Sequence, residues 1–86
     1  MAKAYIVDST ATQVAGPCKR VIITVNKTDA QSVKVIDGTS GSTANVATIA
    51  ALTAGQQYEY WDFATGVRII ASGACDITVC ATDQSR

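Results

Sequence analysis

The sequence predicts an all-β fold, a small antiparallel β-sandwich of six to seven short strands, and three observations carry that prediction. Apolar and polar residues alternate with period two, most clearly from Lys19 to Lys27, where Val21, Ile23 and Val25 share one face. Arg20, Ile22, Thr24 and Asn26 share the other. Turn residues punctuate these runs about every ten positions, the spacing of a sandwich or barrel. Thr, Val and Ile are abundant, whereas Leu occurs only as Leu52 and Glu only as Glu59. Helices lean on Leu and Glu, while β-branched side chains suit a pleated sheet.

The 86 residues are read as one domain, 1–86. Residues 1–17 form an N-terminal strand and loop arm, with a first strand at Ala4 to Asp8. Ser9 to Pro17 is a loop that leaves room for a brief extended piece and closes on Gly16-Pro17. Lys19 to Lys27 is the clearest strand, and Asn26 to Ala30 turns the chain into Gln31 to Asp37. There Val33 and Val35 face the core, and Ser32 and Lys34 face out. Asp37-Gly38-Thr39-Ser40-Gly41-Ser42 is a turn.

Residues 43–54 are ambiguous. They are Ala-rich, with Val46, Ile49 and Ala50 at helical spacing, Ser42 as an N-cap and Gly55 just past the end, so one short helix fits. A strand at Asn45 to Ala50 is preferred because its neighbours are strands and a lone short helix is marginal. Gln56 to Phe63 follows, Ala64-Thr65-Gly66 reverses the chain into Val67 to Ala71, and Ser72-Gly73 leads to Cys75 to Ala81. Residues 82–86 are a polar tail.

Seven Lys+Arg balance seven Asp+Glu, and histidine is missing. A zero net charge gives no footprint for nucleic acid and no long-range attraction to anionic lipid, so neither partner is expected. No Ser-His or Cys-His catalytic pair can be built, and the commonest metal ligand is absent. Neither an enzyme nor a bound metal or cofactor is expected. The glycine-rich turn at 37–42 lacks the lysine of a phosphate loop. Ser40 and Ser42 have no base to activate them, and Asp62 and Asp76 read as solvated carboxylates on strands. No apolar run follows the N-terminal lysine, so a secretory leader is not expected. The charge-free stretch Gly38 to Tyr58 is too rich in Gly, Ser, Thr, Asn and Gln for a membrane span.

Cys18, Cys75 and Cys80 are an odd set with no zinc spacing. Cys75 and Cys80 are an odd offset apart on one strand pattern, so they face opposite ways and cannot pair with each other there. They are read as structural thiols.

Four of the five aromatic residues fall in one strand. Tyr58 and Tyr60 are assigned to one face, Trp61 and Phe63 to the other. A two-layer sandwich uses one face for its core, so one of these pairs is a candidate interface. The alternative is that one pair is core and the loop before Cys18 covers the other. A chain this short also buries a modest share of its surface, which motivates self-association.

Two stretches carry a resemblance. Val33-Lys34-Val35-Ile36-Asp37-Gly38-Thr39-Ser40 resembles the "VTLYDGTS" segment of small virion-associated proteins of tailed bacteriophages. Residues Phe63 to Val79 resemble the closing "FSTGLYVVTSGTADVTV" hairpin of the same group, and the order of motifs covers about residues 19–81. Departures are the three cysteines, Tyr60-Trp61 in place of lighter residues, and a longer N-terminal segment. The resemblance implies a non-catalytic β-sandwich made in the host cytoplasm and residing in the virion. The expected role is capsid decoration (cement), with the major capsid protein or other virion proteins as partners and a trimer as the favoured self-association. Alternatives are a small tail, baseplate or head-tail connector protein, or a module that binds glycans or a host surface through Tyr58, Tyr60 and Trp61.

Overall fold

Alternation in the sequence becomes eight strands in the computed structural model, which describes residues 2–7, 11–39 and 45–82. They are β1 (Ala2–Ile6), β2 (Thr12–Ala15), β3 (Cys18–Val25), β4 (Val33–Asp37), β5 (Asn45–Ile49), β6 (Gln57–Phe63), β7 (Val67–Ala71) and β8 (Ile77–Thr82). Two four-stranded antiparallel sheets result: sheet A in the order β1-β8-β3-β6, and sheet B in the order β2-β7-β4-β5. The protein is a small β-sandwich.

The count exceeds the expected six to seven because the piece before Gly16 is a full strand, β2, paired with β7. The first strand begins at Ala2 and ends at Ile6, two residues earlier than expected, because its partner β8 runs only from Ile77. The helix considered over 43–54 is not formed among the described residues. Asn45–Ile49 pairs with β4, and Leu52 then makes an isolated bridge to Asp29. Pairing with β4 satisfies more backbone groups than a lone helical turn would. The expected tail lies, apart from Thr82 in β8, outside the described residues.

The core is the set of inward positions of both sheets. Val21 and Ile23 are fully buried in β3, Ile77 and Val79 in β8, Val33 and Val35 in β4, and Val67 and Ile69 in β7. No charged or polar side chain is buried with them among the described residues. Leu52 and Ile49 close one end. Burying a Val- or Ile-sized side chain is worth about 1.5–3 kcal/mol, so these positions dominate stability.

Polar contacts hold the opposite end. The Asp37 carboxylate accepts the backbone N–H groups of Ala64 (3.0 Å), Thr65 (2.8 Å) and Gly66 (3.2 Å), fastening the β6–β7 turn to the end of β4. Gln13 Nε2 lies 3.0 Å from the carbonyls of Gly38 and Val67 and 3.1 Å from that of Ala15, tying β2 to the same knot.

Sheet edges differ. In sheet B both edge strands are irregular: register shifts between Gln13 and Ala15 in β2, and β5 carries Val46 as an extra residue opposite the Val35/Ile36 step. In sheet A the registers of β1 with β8 and of β6 with β3 run without a shift.

Candidate functional site

The outward face of sheet A is built from the alternate residues of its four strands. Register places Lys3, Cys80, Ile22 and Glu59 in one row across the sheet, and Tyr5, Thr78, Thr24 and Gln57 in the next. Thr82, Arg20 and Trp61 form a third. Trp61 is 58% exposed and Tyr5 is 65% exposed, so two large rings stand at opposite edges of a face that also carries Lys3, Arg20 and Glu59.

Arg20 organises the Trp61 corner. Its guanidinium pairs with the Glu59 carboxylate and lies 5.4 Å from the centre of the Trp61 ring. A cation over an indole is attracted to the ring quadrupole, so Arg20 restrains a ring that stays largely exposed. At the Tyr5 edge, a hydrogen bond from the phenol to the Asp76 carboxylate, followed by that carboxylate's charge, raises the Tyr5 pKa above the ordinary value. Asn26 Nδ2 donates to Asp76 Oδ1 and to Thr78 Oγ1, both at 3.0 Å, which fixes the acidic group.

The structure separates the four aromatic residues differently from simple alternation. Tyr58 and Tyr60 lie opposite Ile23 and Val21 and pack half-buried against the core. Burial, then the neighbouring Tyr58, raises the Tyr60 pKa. Trp61 is on the outward face as alternation requires, but Phe63 is 3% exposed and belongs to the core. The shared face expected for Trp61 and Phe63 is therefore corrected. Asp62 has φ of 62°, a left-handed conformation that a non-glycine residue seldom adopts, and it breaks the alternation. The strand opposite breaks it at the same level: Lys19 and Arg20 are both exposed while Cys18 is buried and pairs with Phe63. Lys19 Nζ and Asp62 Oδ1, 3.6 Å apart, span the switch.

Of the aromatic candidates only Trp61 is a free-standing surface ring. Sequence reading missed Tyr5 and Arg20. The available signal was the odd-even parity of Tyr5 with Lys3, which places both on one side of β1, and the cross-strand match of Arg20 to Trp61.

None of the three cysteines is in a disulfide: Cys18 and Cys75 are buried, and Cys80 is half-buried on the outward face. Cys75 and Cys80 do face opposite ways. Among the described residues no group of three His, Cys, Asp or Glu side chains is placed to hold a metal ion, and no helix is long and apolar enough to cross a membrane. Shallow hollows include one of about 250 Å³ beside Ser32, Lys34, Ile70 and Ser72 and one of about 230 Å³ beside Val7, Lys27, Asp29, Ala74, Cys75 and Asp76. No family model, no curated protein and no solved structure matches this chain.

Proposed function

We propose that this chain is a structural protein of a bacteriophage virion, a decoration protein that binds the assembled head through the outward face of sheet A. The single observation that carries the docking surface is the exposed Trp61 ring, with Arg20 beside it on the outward face. Aromatic and arginine side chains are the usual anchors of protein interfaces. The virion assignment itself is supported by the resemblance of residues 33–40 and 63–79 to small phage proteins. On this reading the protein works without turnover: apolar area, at about 25 cal/mol per Å², is buried across joints between coat subunits and stabilises the shell by mass action. The partner is the major capsid protein, and the chain self-associates.

The test is to mix purified protein with bare heads of the parent phage and measure co-sedimentation and shell melting. Binding with a raised melting temperature is expected, and both should weaken for Trp61→Ala. Absence of the chain from purified particles, or no binding to heads, overturns the reading. A second reading has its own observation: the exposed Trp61 ring stands beside the Arg20–Glu59 pair, the stacking-plus-polar chemistry that suits a sugar ring. A shift in tryptophan fluorescence on titration with host-surface glycans would favour it.

A further inference from the structure

We infer that copies of this chain join edge to edge, the open side of β1 in one copy pairing antiparallel with the open side of β6 in the next, so that sheet A continues across the junction. The inference rests on the self-association proposed above and adds its geometry.

Backbone polarity is the first support. The Val25 N–H donates to the Gln56 carbonyl at 2.9 Å, so in the β3–β6 ladder Tyr58 and Tyr60 turn their peptide groups toward β3. Gln57, Glu59 and Trp61 then turn theirs to the open edge. The Asn26 N–H donates to the Asp76 carbonyl at 2.9 Å, so Thr78, Cys80 and Thr82 turn toward β3, and Ile77, Val79 and Ala81 toward β1. Register then gives Ala4 and Ile6 to β8 and leaves the peptide groups of Lys3 and Tyr5 at the edge.

Side-chain parity is the second. Residues that exchange hydrogen bonds across an antiparallel pair put their side chains on the same face. Lys3 and Tyr5 are on the outward face, and so are Gln57, Glu59 and Trp61. The two edges therefore fit without turning either sheet over. Direction fits as well, since three successive antiparallel pairings make β1 and β6 antiparallel.

Charge sets the register. Continuing the rows without stagger puts Lys3 beside Glu59 of the neighbouring copy and Tyr5 beside its Gln57. Lys3 has no ion-pair partner among the described residues, while Glu59 has Arg20 on one side only. Sheet B is excluded by its own irregularities: both its edges carry a bulge, a device that blunts edge pairing. Because the two edges are different surfaces, the contact is heterologous and builds a closed ring when the rotation per copy divides a full turn.

Sedimentation equilibrium over a concentration series tests this. The wild-type protein should associate, and Lys3→Glu should weaken association about tenfold by setting like charges opposite each other. Adding Glu59→Lys in the same chain should restore it. Tyr5→Pro removes an edge-facing N–H without touching the β1–β8 ladder and should leave a folded monomer by circular dichroism. If Tyr5→Pro fails to fold, the surface substitution Lys3→Glu still decides. Association unchanged by Lys3→Glu overturns the edge contact but leaves self-association standing. A wild-type monomer at every concentration overturns both, and neither result bears on whether the chain binds heads.

Discussion

The Asp37 carboxylate and the Thr65 amide meet at 2.8 Å across 28 positions of sequence, and this contact joins the end of sheet B to the turn that leaves sheet A. Three backbone N–H groups converge on that carboxylate, led by Thr65, and hold its pKa below the usual carboxylate value. A lowered folded-state pKa means that the unfolded chain takes up the proton first. The contribution is fully present above the unfolded value of about 3.9 and is lost as pH falls through the folded value. Thermal melts across an acid pH series should thus be flat at neutral pH and fall steeply at and below about pH 4. Asp37→Asn should cost about 1–2 kcal/mol at neutral pH and flatten part of that acid limb.

Ile23 and Ile77 are fully buried on the inner face of sheet A. Replacing either with Asp sets an unpaired charge among aliphatic side chains and should cost several kcal/mol, on the order of 4. Denaturant titration checks this; a midpoint close to wild type would show that the assigned inner face is wrong.

Thiol reactivity should divide one against two. Cys80 is half-buried on the outward face, whereas Cys18 and Cys75 are buried. Under native conditions a thiol-specific chromogenic reagent should label Cys80 first. Cys18 and Cys75 should react only at the rate of opening, and all three should react quickly in denaturant.

Trp61 is the single tryptophan and is 58% exposed. Its emission should be red-shifted and readily quenched by acrylamide. Trp61→Ala should change stability by less than about 1 kcal/mol, since it forfeits little beyond the contact with Arg20. Docking of the outward face would shift the emission to the blue.

Glycines at the ends of the sandwich differ in cost. A Cβ on Gly66 would lie 3.0 Å from the Gly38 carbonyl and 3.1 Å from the Ala15 carbonyl, both backbone and both fixed by the Asp37–Gln13 knot. Gly16 has nothing within 4 Å of the same atom. Gly66→Ala should cost about 1–3 kcal/mol and Gly16→Ala no more than about 0.5, as read from melting curves.

Much of this fold was legible because period-two alternation is local. Val21, Ile23 and Val25, and Ile77 and Val79, announced their faces, and Val67–Ala71 was bounded correctly by its turns. What alternation could not show was where it stops. The left-handed backbone at Asp62 brings Phe63 into the core, and nothing in Tyr60-Trp61-Asp62-Phe63 marks that break. Ile36, outward by the same parity as Lys34, is nevertheless 1% exposed on the far side of sheet B from the main core. The strand β2 was reduced to part of a loop because Thr12-Gln13-Val14-Ala15 has only one large apolar residue, and its place is set by partners 52 to 57 residues away on β7. The Trp61 corner was half legible: the ring was named, but Arg20 and Tyr5 reach that face only through cross-strand register.

β8 sits between β1 and β3 in the middle of sheet A, yet it follows the other seven described strands in sequence. Until Ile77 to Thr82 leave the ribosome, β1 has no neighbour in its own layer and β3 lacks one of its two. Closure of sheet A must then wait for that segment to emerge, and loss of even a few residues from it would remove the seam joining β1 to the rest.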